Sequence, residues 1–254
     1  MPAAPGKHHP CRGADHMRLT FTGARVLILG GSCSLGLALI DLTRETGLAI
    51  VPTHSSDTGH AALAERFPDL AARSPRLDLG DPASVDALER DADYVIDFAH
   101  ARFEALMAAS TEADAYFAAQ IAGRQRLLRH LGRAMLTRRF GRLIHVSSTA
   151  ACLPAEGQGF YSAAKRAGEA LYQALGLELG PRGVTSVSLR LGLLDAGRGA
   201  NFLDTADRRA TLKAPLVTTD QAASTLLFLM SDQALAFTCT TLTMDAGLTA
   251  RKHI

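Results

Sequence analysis

The sequence lacks the features that mark several protein classes. Its four cysteines, Cys11, Cys33, Cys152 and Cys239, are scattered, with no CxxC pair and no histidine at metal-ligand spacing. That argues against a disulfide framework and against a zinc site, and a reducing cytoplasm fits. No run of 18 apolar residues occurs, so no membrane-spanning helix is expected, and the opening "MPAAPGKHHPCRGADHMRLTF" has no apolar core of a secretory signal. Charge of one sign is missing too: 27 Lys and Arg stand against 25 Asp and Glu. The charges are mixed along the chain, which argues against a nucleic-acid binder working by bulk electrostatics. Internal repeats are absent, and the only biased tract is residues 1–16, whose Pro, Gly and His content predicts a disordered leader. Met17 directly precedes a clean strand lead-in, so a natural start at Met17 and an added leader are both compatible with the sequence.

What is present is a chain of 254 residues with 47% hydrophobic content, enough for one large core, and no linker divides it. Residues 17–254 are therefore expected to form a single α/β domain. "ARVLILGG", residues 24–31, is a continuous apolar run ending in glycines, as a strand buried on both faces requires. Leu35, Ala38, Leu39 and Leu42 then recur at helical spacing. Further strand-like runs are "LAIVPTH", "RLDL", "DYVIDFA", "GRLIHVSS", "VTSVSLRLG" and "TLTMDA", with helix-like segments between most of them. The longest helix pattern, "TEADAYFAAQIAGRQRLLRHLGRAML", puts Phe117, Ile121, Leu128, Leu131 and Met135 on one face. This alternation predicts a doubly wound, seven-stranded parallel sheet covered on both sides, with Val26, Ile28, Val95, Ile144, Val146, Val187 and Leu189 in its core.

Two stretches carry chemistry. The first strand-to-helix turn, "LGGSCSLG", has Gly30 and Gly36 where a backbone would approach a pyrophosphate at a helix N-terminus. In "GQGFYSAAKRAG", Tyr161 and Lys165 are four apart in a helix-forming segment, so they share a face. A fixed ammonium beside a phenol favours the phenolate, which fits the phenol for acid–base work near neutral pH.

With these residues in place, the sequence resembles the short-chain dehydrogenase/reductase family over residues 24–250. Gly30 and Gly36 match the family's TGxxxGxG turn, with Leu29 replacing the threonine and Ser34 the middle glycine. Ser148 in "HVSSTAA" precedes Tyr161 by thirteen residues, the family's serine-to-tyrosine spacing, and Lys165 completes the triad. Asp78 in "RLDL", "FLMSD" and "TMDAGLT" also match. The resemblance implies an NAD(P)-dependent oxidoreductase in which Tyr161 passes a proton to or from the substrate oxygen. Lys165 would tune the tyrosine and hold the nicotinamide ribose, and Ser148 would hydrogen-bond the carbonyl. It assigns cofactor binding to Gly30, Ser32, Ser34, Leu35, Gly36, His54, Ser55, Ser56, Asp78, Leu79, Ala99, Gly192 and Leu194, besides Tyr161 and Lys165. It also implies a homodimer or homotetramer built through the long helix and the Tyr161 helix.

The pattern is broken in places. The family's NNAG is "DFAH" here, Asp97 to His100, which sets an imidazole where a glycine backbone is expected beside the cofactor. The asparagine that anchors a relay water in the family aligns with Gln120. Leu191 and Ala196 replace a proline and a threonine after the sixth strand. A non-catalytic binding or scaffold protein is therefore the non-enzyme alternative. His100 and Asp97 read as a turn histidine and a strand-end aspartate satisfied by backbone, with a substrate-specific pair as the alternative, and Cys33 and Cys152 as small fillers rather than nucleophiles.

"THSSD" at the end of the second strand, with His54, Ser55 and Ser56 before Asp57, favours NADP. Asp57 would favour NAD if the strand ran longer. "GQGFY" resembles the start of the active-site helix in 3-oxoacyl-acyl-carrier-protein reductases, whose two carrier-docking arginines have equivalents in Arg139 and Arg182. Arg124, Arg126, Arg129, Arg133 and Arg138 add positive charge that would steer an acidic carrier. A sugar, a steroid, a cyclic ketone or a small alcohol remains open as substrate.

Overall fold

Alternate residues of the first strand divide the molecule into its two layers. Val26 and Ile28 point to one side of the sheet and Leu27 and Leu29 to the other, and all four are buried. A strand apolar on both faces needs cover on both faces. In this computed structural model, residues 18–101, 103–197 and 215–251 are described. The expected leader over residues 1–16 and the alternative start at Met17 lie outside them.

Within these residues six parallel strands form one sheet in the order β2-β1-β3-β4-β5-β6. They are β1 (Arg25–Leu29), β2 (Ala49–Pro52), β3 (Tyr94–Asp97), β4 (Gly141–Ser148), β5 (Val184–Leu191) and β6 (Thr240–Met244). One face is covered by α1 (Ser34–Arg44) and α8 (Thr219–Met230), whose Leu39, Ile40, Leu226 and Leu229 pack on Ile28, Ile96, Ile144 and Val187. The other is covered by α6 (Arg124–Arg138) and α7 (Gly159–Leu179), through Leu127, Leu131, Met135 and Tyr172 against Leu27, Val95 and Leu143. The short α2 (Asp57–Arg66), α3 (Pro68–Ala71), α4 (Pro82–Asp86) and α9 (Leu248–Arg251) complete the connections. All seven residues expected in the core are buried. No helix among the described residues is long and apolar enough to cross a membrane.

The sheet has one strand fewer than expected. "RLDL" makes a single parallel bridge, His54 with Arg76, and Leu77 N donates to His54 O at 2.7 Å. The chain then folds away at once. Asp78 Oδ1 accepts from Gly80 N, and Asp81 caps α4 with Pro82 at its first position. Turn chemistry therefore ends the segment before a ladder can extend.

The long helix is interrupted rather than uniform. It runs as α5 (Ala113–Phe117), a π turn over Ala118–Gly123, and then α6. A π turn takes one extra residue, so the face before it is displaced by one position. Tyr116, Gln120 and Arg124 are buried in the first half, whereas the expected Phe117 and Ile121 are only half-buried. Gly123 permits the arrangement, because a Cβ there would lie 1.9 Å from the carbonyl oxygen of Leu79.

Candidate active site

The strand order reverses between β1 and β3, and at that point a crevice opens at the carboxyl ends of a parallel sheet. Its floor is the contact of two turns. Gly30 has φ +67°, and a Cβ on it would come within 3.1 Å of Ala99 N, so the turn after β1 lies against the backbone after β3. Thr53 Oγ1 accepts from Gly30 N at 2.9 Å and ties the end of β2 to the same turn. Cys33 is the N-cap of α1, its Sγ accepting from Gly36 N at 3.3 Å. Gly36 leaves no room for a side chain, since a Cβ would stand 2.5 Å from Gly31 O. Ser32, Ser34 and Leu35 complete this turn and the first turn of α1, whose N-terminal N–H groups suit a pyrophosphate.

The other expected cofactor residues ring the same end of the sheet. His54, Ser55 and Ser56 follow β2, with Ser56 capping α2. His54 is buried, its Nδ1 is 2.9 Å from Ser74 Oγ, and burial, followed by neighbouring His60, lowers its pKa. Asp78 is exposed, while Leu79 is buried beneath the π turn. Gly192 N donates to Met244 O at 2.9 Å, and Leu194 bridges to Val217.

Ser148 ends β4, and its Oγ accepts from Ala150 N at 3.2 Å. Tyr161 and Lys165 stand one turn apart on α7, with Lys165 Nζ 5.9 Å from the centre of the Tyr161 ring. Lys165 is buried and donates to Val146 O at 2.8 Å, so β4 anchors both the serine and the lysine. Gln120 lies in the π turn, 2% exposed. Its backbone carbonyl accepts from Arg124 Nη1 at 3.1 Å, and its Oε1 stands 3.5 Å from the same nitrogen.

That arginine belongs to a buried cluster which the sequence did not announce. Arg124 Nε donates to Asp97 Oδ2 at 3.0 Å, and Arg124 Nη2 donates to Ala99 O. Tyr172 Oη donates to Asp97 Oδ2 at 2.8 Å, and Asp97 Oδ1 accepts from Ala99 N at 2.9 Å. His145 stacks on Tyr172 with ring centres 4.8 Å apart, its Nδ1 3.8 Å from Asp97 Oδ2. Burial alone would raise the Asp97 carboxyl, but Arg124, His145 and Tyr172 hold it well below the usual carboxylate range. Burial pushes His145 down to about 4 and drives the Tyr172 phenol well up. Asp97 is thus not a strand-end carboxylate satisfied by backbone alone, and Arg124 is not a surface charge. Together they clamp the turn that faces Gly30.

Other expectations change with the geometry. Arg126 pairs with Asp86 at 3.0 Å, and Arg138 reaches Asp91, Asp93 and the carbonyl of Ala92, so much of the expected positive patch is neutralised. Cys33 and Cys152 are exposed rather than fillers. A second missed cluster lies beside Ser148. Buried Glu169 accepts from Ser147 Oγ at 2.6 Å and from both Nε and Nη2 of Arg190. The helical spacing of Tyr116, Gln120 and Arg124 marks the buried face from which Arg124 reaches the first cluster, but not its partner. It was masked by the apolar residues one position later.

The crevice, with its glycine cradle and the Ser148, Tyr161 and Lys165 set beside it, defines a nucleotide-dependent oxidoreductase of doubly wound α/β fold. The chain belongs to the short-chain dehydrogenase/reductase family. A family model described as Enoyl-(Acyl carrier protein) reductase matches residues 30–249. The chain is 25% identical over 244 residues to the 3-oxoacyl-[acyl-carrier-protein] reductase of Escherichia coli, covering 91% of this chain and 99% of that one. It is 26% identical over 241 residues to Nodulation protein G of Rhizobium meliloti, covering 89% and 97%. A solved short chain dehydrogenase/reductase family protein superposes with TM-score 0.80 at 26% identity, over 92% of this chain and all of that one. The fold is also that of a gluconate 5-dehydrogenase from Burkholderia cenocepacia, solved with NADP and tartrate, with TM-score 0.78 at 23% identity over 91% and 97% of the two chains. The cofactor class is a nicotinamide dinucleotide, which supplies or accepts the hydride when bound.

Proposed function

We propose that this protein reduces a 3-oxoacyl thioester to the 3-hydroxyacyl thioester with NADPH, the acyl group arriving on an acidic carrier protein. The observation that carries this reading is the Tyr161 and Lys165 face of α7 set beside Ser148 at the end of β4, at a helix start that reads "GQGFY". Tyr161 gives its proton to the ketone oxygen, Ser148 donates to that oxygen as charge develops, and Lys165 holds a positive charge beside the phenol ring.

Support for NADPH comes from the second strand. β2 ends at Pro52, and the first carboxylate beyond it, Asp57, is already in α2, exposed and 3.9 Å from Arg76. Among the described residues, the chain following β2 therefore sets no acidic side chain at the strand end to repel a 2′-phosphate. Arg139 and Arg182 are neighbours, since a Cβ on Gly183 would lie 2.4 Å from Arg139 O. They flank the amino ends of β4 and β5, whereas Ser148 is at the carboxyl end of the eight-residue β4. That separates them from Ser148 by about 25 Å at roughly 3.3 Å per strand residue. A carrier docked there serves the site of a second protomer, which makes the oligomer part of the reading.

Turnover of acetoacetyl-coenzyme A with NADPH and with NADH tests the proposal. Reduction with NADPH preferred is the expected result. Activity on a sugar or cyclic alcohol with none on any 3-oxoacyl thioester would move the substrate to that class, and binding of neither nucleotide would leave a non-catalytic binding protein.

A further inference from the structure

We propose that His100 is a positioning residue for Tyr161, an imidazole wedge that fixes the plane of the phenol and is itself held by Tyr116. The proposal rests on the reading of Tyr161 as the proton donor. The His100 ring meets the Tyr161 ring edge-on, with centres 4.8 Å apart and planes at 85°. A hydrogen bond of 2.9 Å joins His100 Nε2 to Tyr116 Oη. Tyr116 is in turn buried and stacked on Phe103 at 4.9 Å, in a cluster with Phe117 and Phe160. The wedge is therefore braced by a group other than Tyr161.

Its base is braced as well. His100 ends the turn that begins at Asp97, and that turn is fixed at both Ala99 N and Ala99 O, by the Asp97 carboxylate and the Arg124 guanidinium. Arg124 also binds the Gln120 carbonyl, so the clamp extends into the π turn that buries Tyr116 and Gln120 on one face. A glycine at position 100 would remove this edge-on contact from the Tyr161 ring. The ring also has Lys165 Nζ 5.9 Å from its centre. Between them, wedge and lysine restrict the rotation of a phenol that must point its hydroxyl at one substrate atom, and small errors in such aim are expensive.

The position of the ring is measured without any substrate. The chain has four tyrosines, so labelling with 3-fluorotyrosine gives four fluorine resonances, and that of Tyr161 is assigned by its loss in Tyr161→Phe. In His100→Ala the Tyr161 resonance shifts and broadens. In His100→Phe, which keeps a flat ring but loses the bond to Tyr116, it shifts and broadens much less than in His100→Ala. Activity on acetoacetyl-coenzyme A is read in parallel. His100→Ala lowers kcat about 10- to 100-fold while the NADPH Kd stays within about two-fold, and His100→Phe restores most of the lost kcat. Tyr116→Phe, which removes only the hydroxyl, shows a smaller loss in the same direction and carries the test if His100→Ala does not fold. An unchanged Tyr161 resonance in both His100→Ala and Tyr116→Phe overturns the proposal. So does a His100→Phe variant that keeps the resonance but not kcat, which would assign the imidazole a proton-carrying task instead. A fully active Tyr161→Phe refutes the proton-donor reading, whereas a dead Tyr161→Phe beside a fully active His100→Ala refutes the wedge alone.

Discussion

Arg124 Nε and Asp97 Oδ2 form a 3.0 Å ion pair whose side chains are 1% and 0% exposed. Removing one partner strands a buried charge. Arg124→Leu is expected to destabilise the fold by about 3 to 5 kcal/mol, read as a lower urea midpoint. Asp97→Asn combined with Arg124→Leu should cost less than the sum of the two single changes, because the stranded charge is gone. Additive losses would show that the two side chains act independently.

Tyr161→Phe should abolish nearly all reduction while leaving NADPH affinity within about two-fold, since only the proton is withdrawn. Parallel turnover and binding measurements check this. A loss of both would reassign Tyr161 to cofactor binding.

Gly36→Ala should weaken NADPH binding at least about ten-fold, because the new methyl meets the Gly31 carbonyl at 2.5 Å and forces the cofactor turn apart. The chain has no tryptophan, so the titration follows the fluorescence of the nicotinamide itself, free of energy transfer from indole. Unchanged affinity would place the pyrophosphate elsewhere.

Arg139→Glu and Arg182→Glu should weaken turnover of a carrier-linked substrate and spare acetoacetyl-coenzyme A, which never reaches the amino ends of β4 and β5. Mixing this double variant with Tyr161→Phe subunits gives a sharper readout. If a carrier docks on one protomer and feeds another, the mixed oligomer recovers activity that neither parent has. Equal losses on both substrates would remove the docking role.

His145 supplies a pH dependence whose sign is fixed. Its folded pKa, pushed down by burial to about 4, lies below the unfolded value of 6.5. The unfolded chain therefore binds the extra proton first, and stability falls as pH drops from 7 toward 4. Between pH 7 and pH 5 this contributes about 2 kcal/mol. Asp97, Tyr172, Lys165 and Arg124 face or surround the ring, and Asp97 adds its own loss only at still lower pH. His145→Phe keeps the stack on Tyr172 and should flatten the decline. Denaturant titrations at the two pH values decide.

The layers of the fold were legible because strands buried on both faces cannot hide: β1 reads as an apolar run after Arg25 and β3 as one before Asp97, and the structure buries both strands completely but for Arg25. The site was legible through spacing alone, since Ser148, Tyr161 and Lys165 are placed by one strand and one helix. The Asp97 cluster was not. Its members come from β3, α6, β4 and α7, and no local pattern tells a helix arginine that its partner lies 27 residues back. The missing strand was a different failure. Asp78, Gly80, Asp81 and Pro82 carry a clear turn signal, but Asp78 lies inside the four-residue strand-like pattern "RLDL", which hides it.

The π turn has a consequence for how this chain tolerates insertions and deletions. Deleting one residue between 118 and 123 would restore an unbroken α-helix and leave the face before it in place, whereas adding one would rotate everything before it by roughly 100°. With a residue added, Tyr116 would swing off His100 and Phe117 would take its place, so one gained codon at this helix would unseat the wedge. Natural lengthening should therefore be excluded from this stretch. It belongs instead in connections such as that at Gly47, where an added Cβ meets nothing within 4 Å.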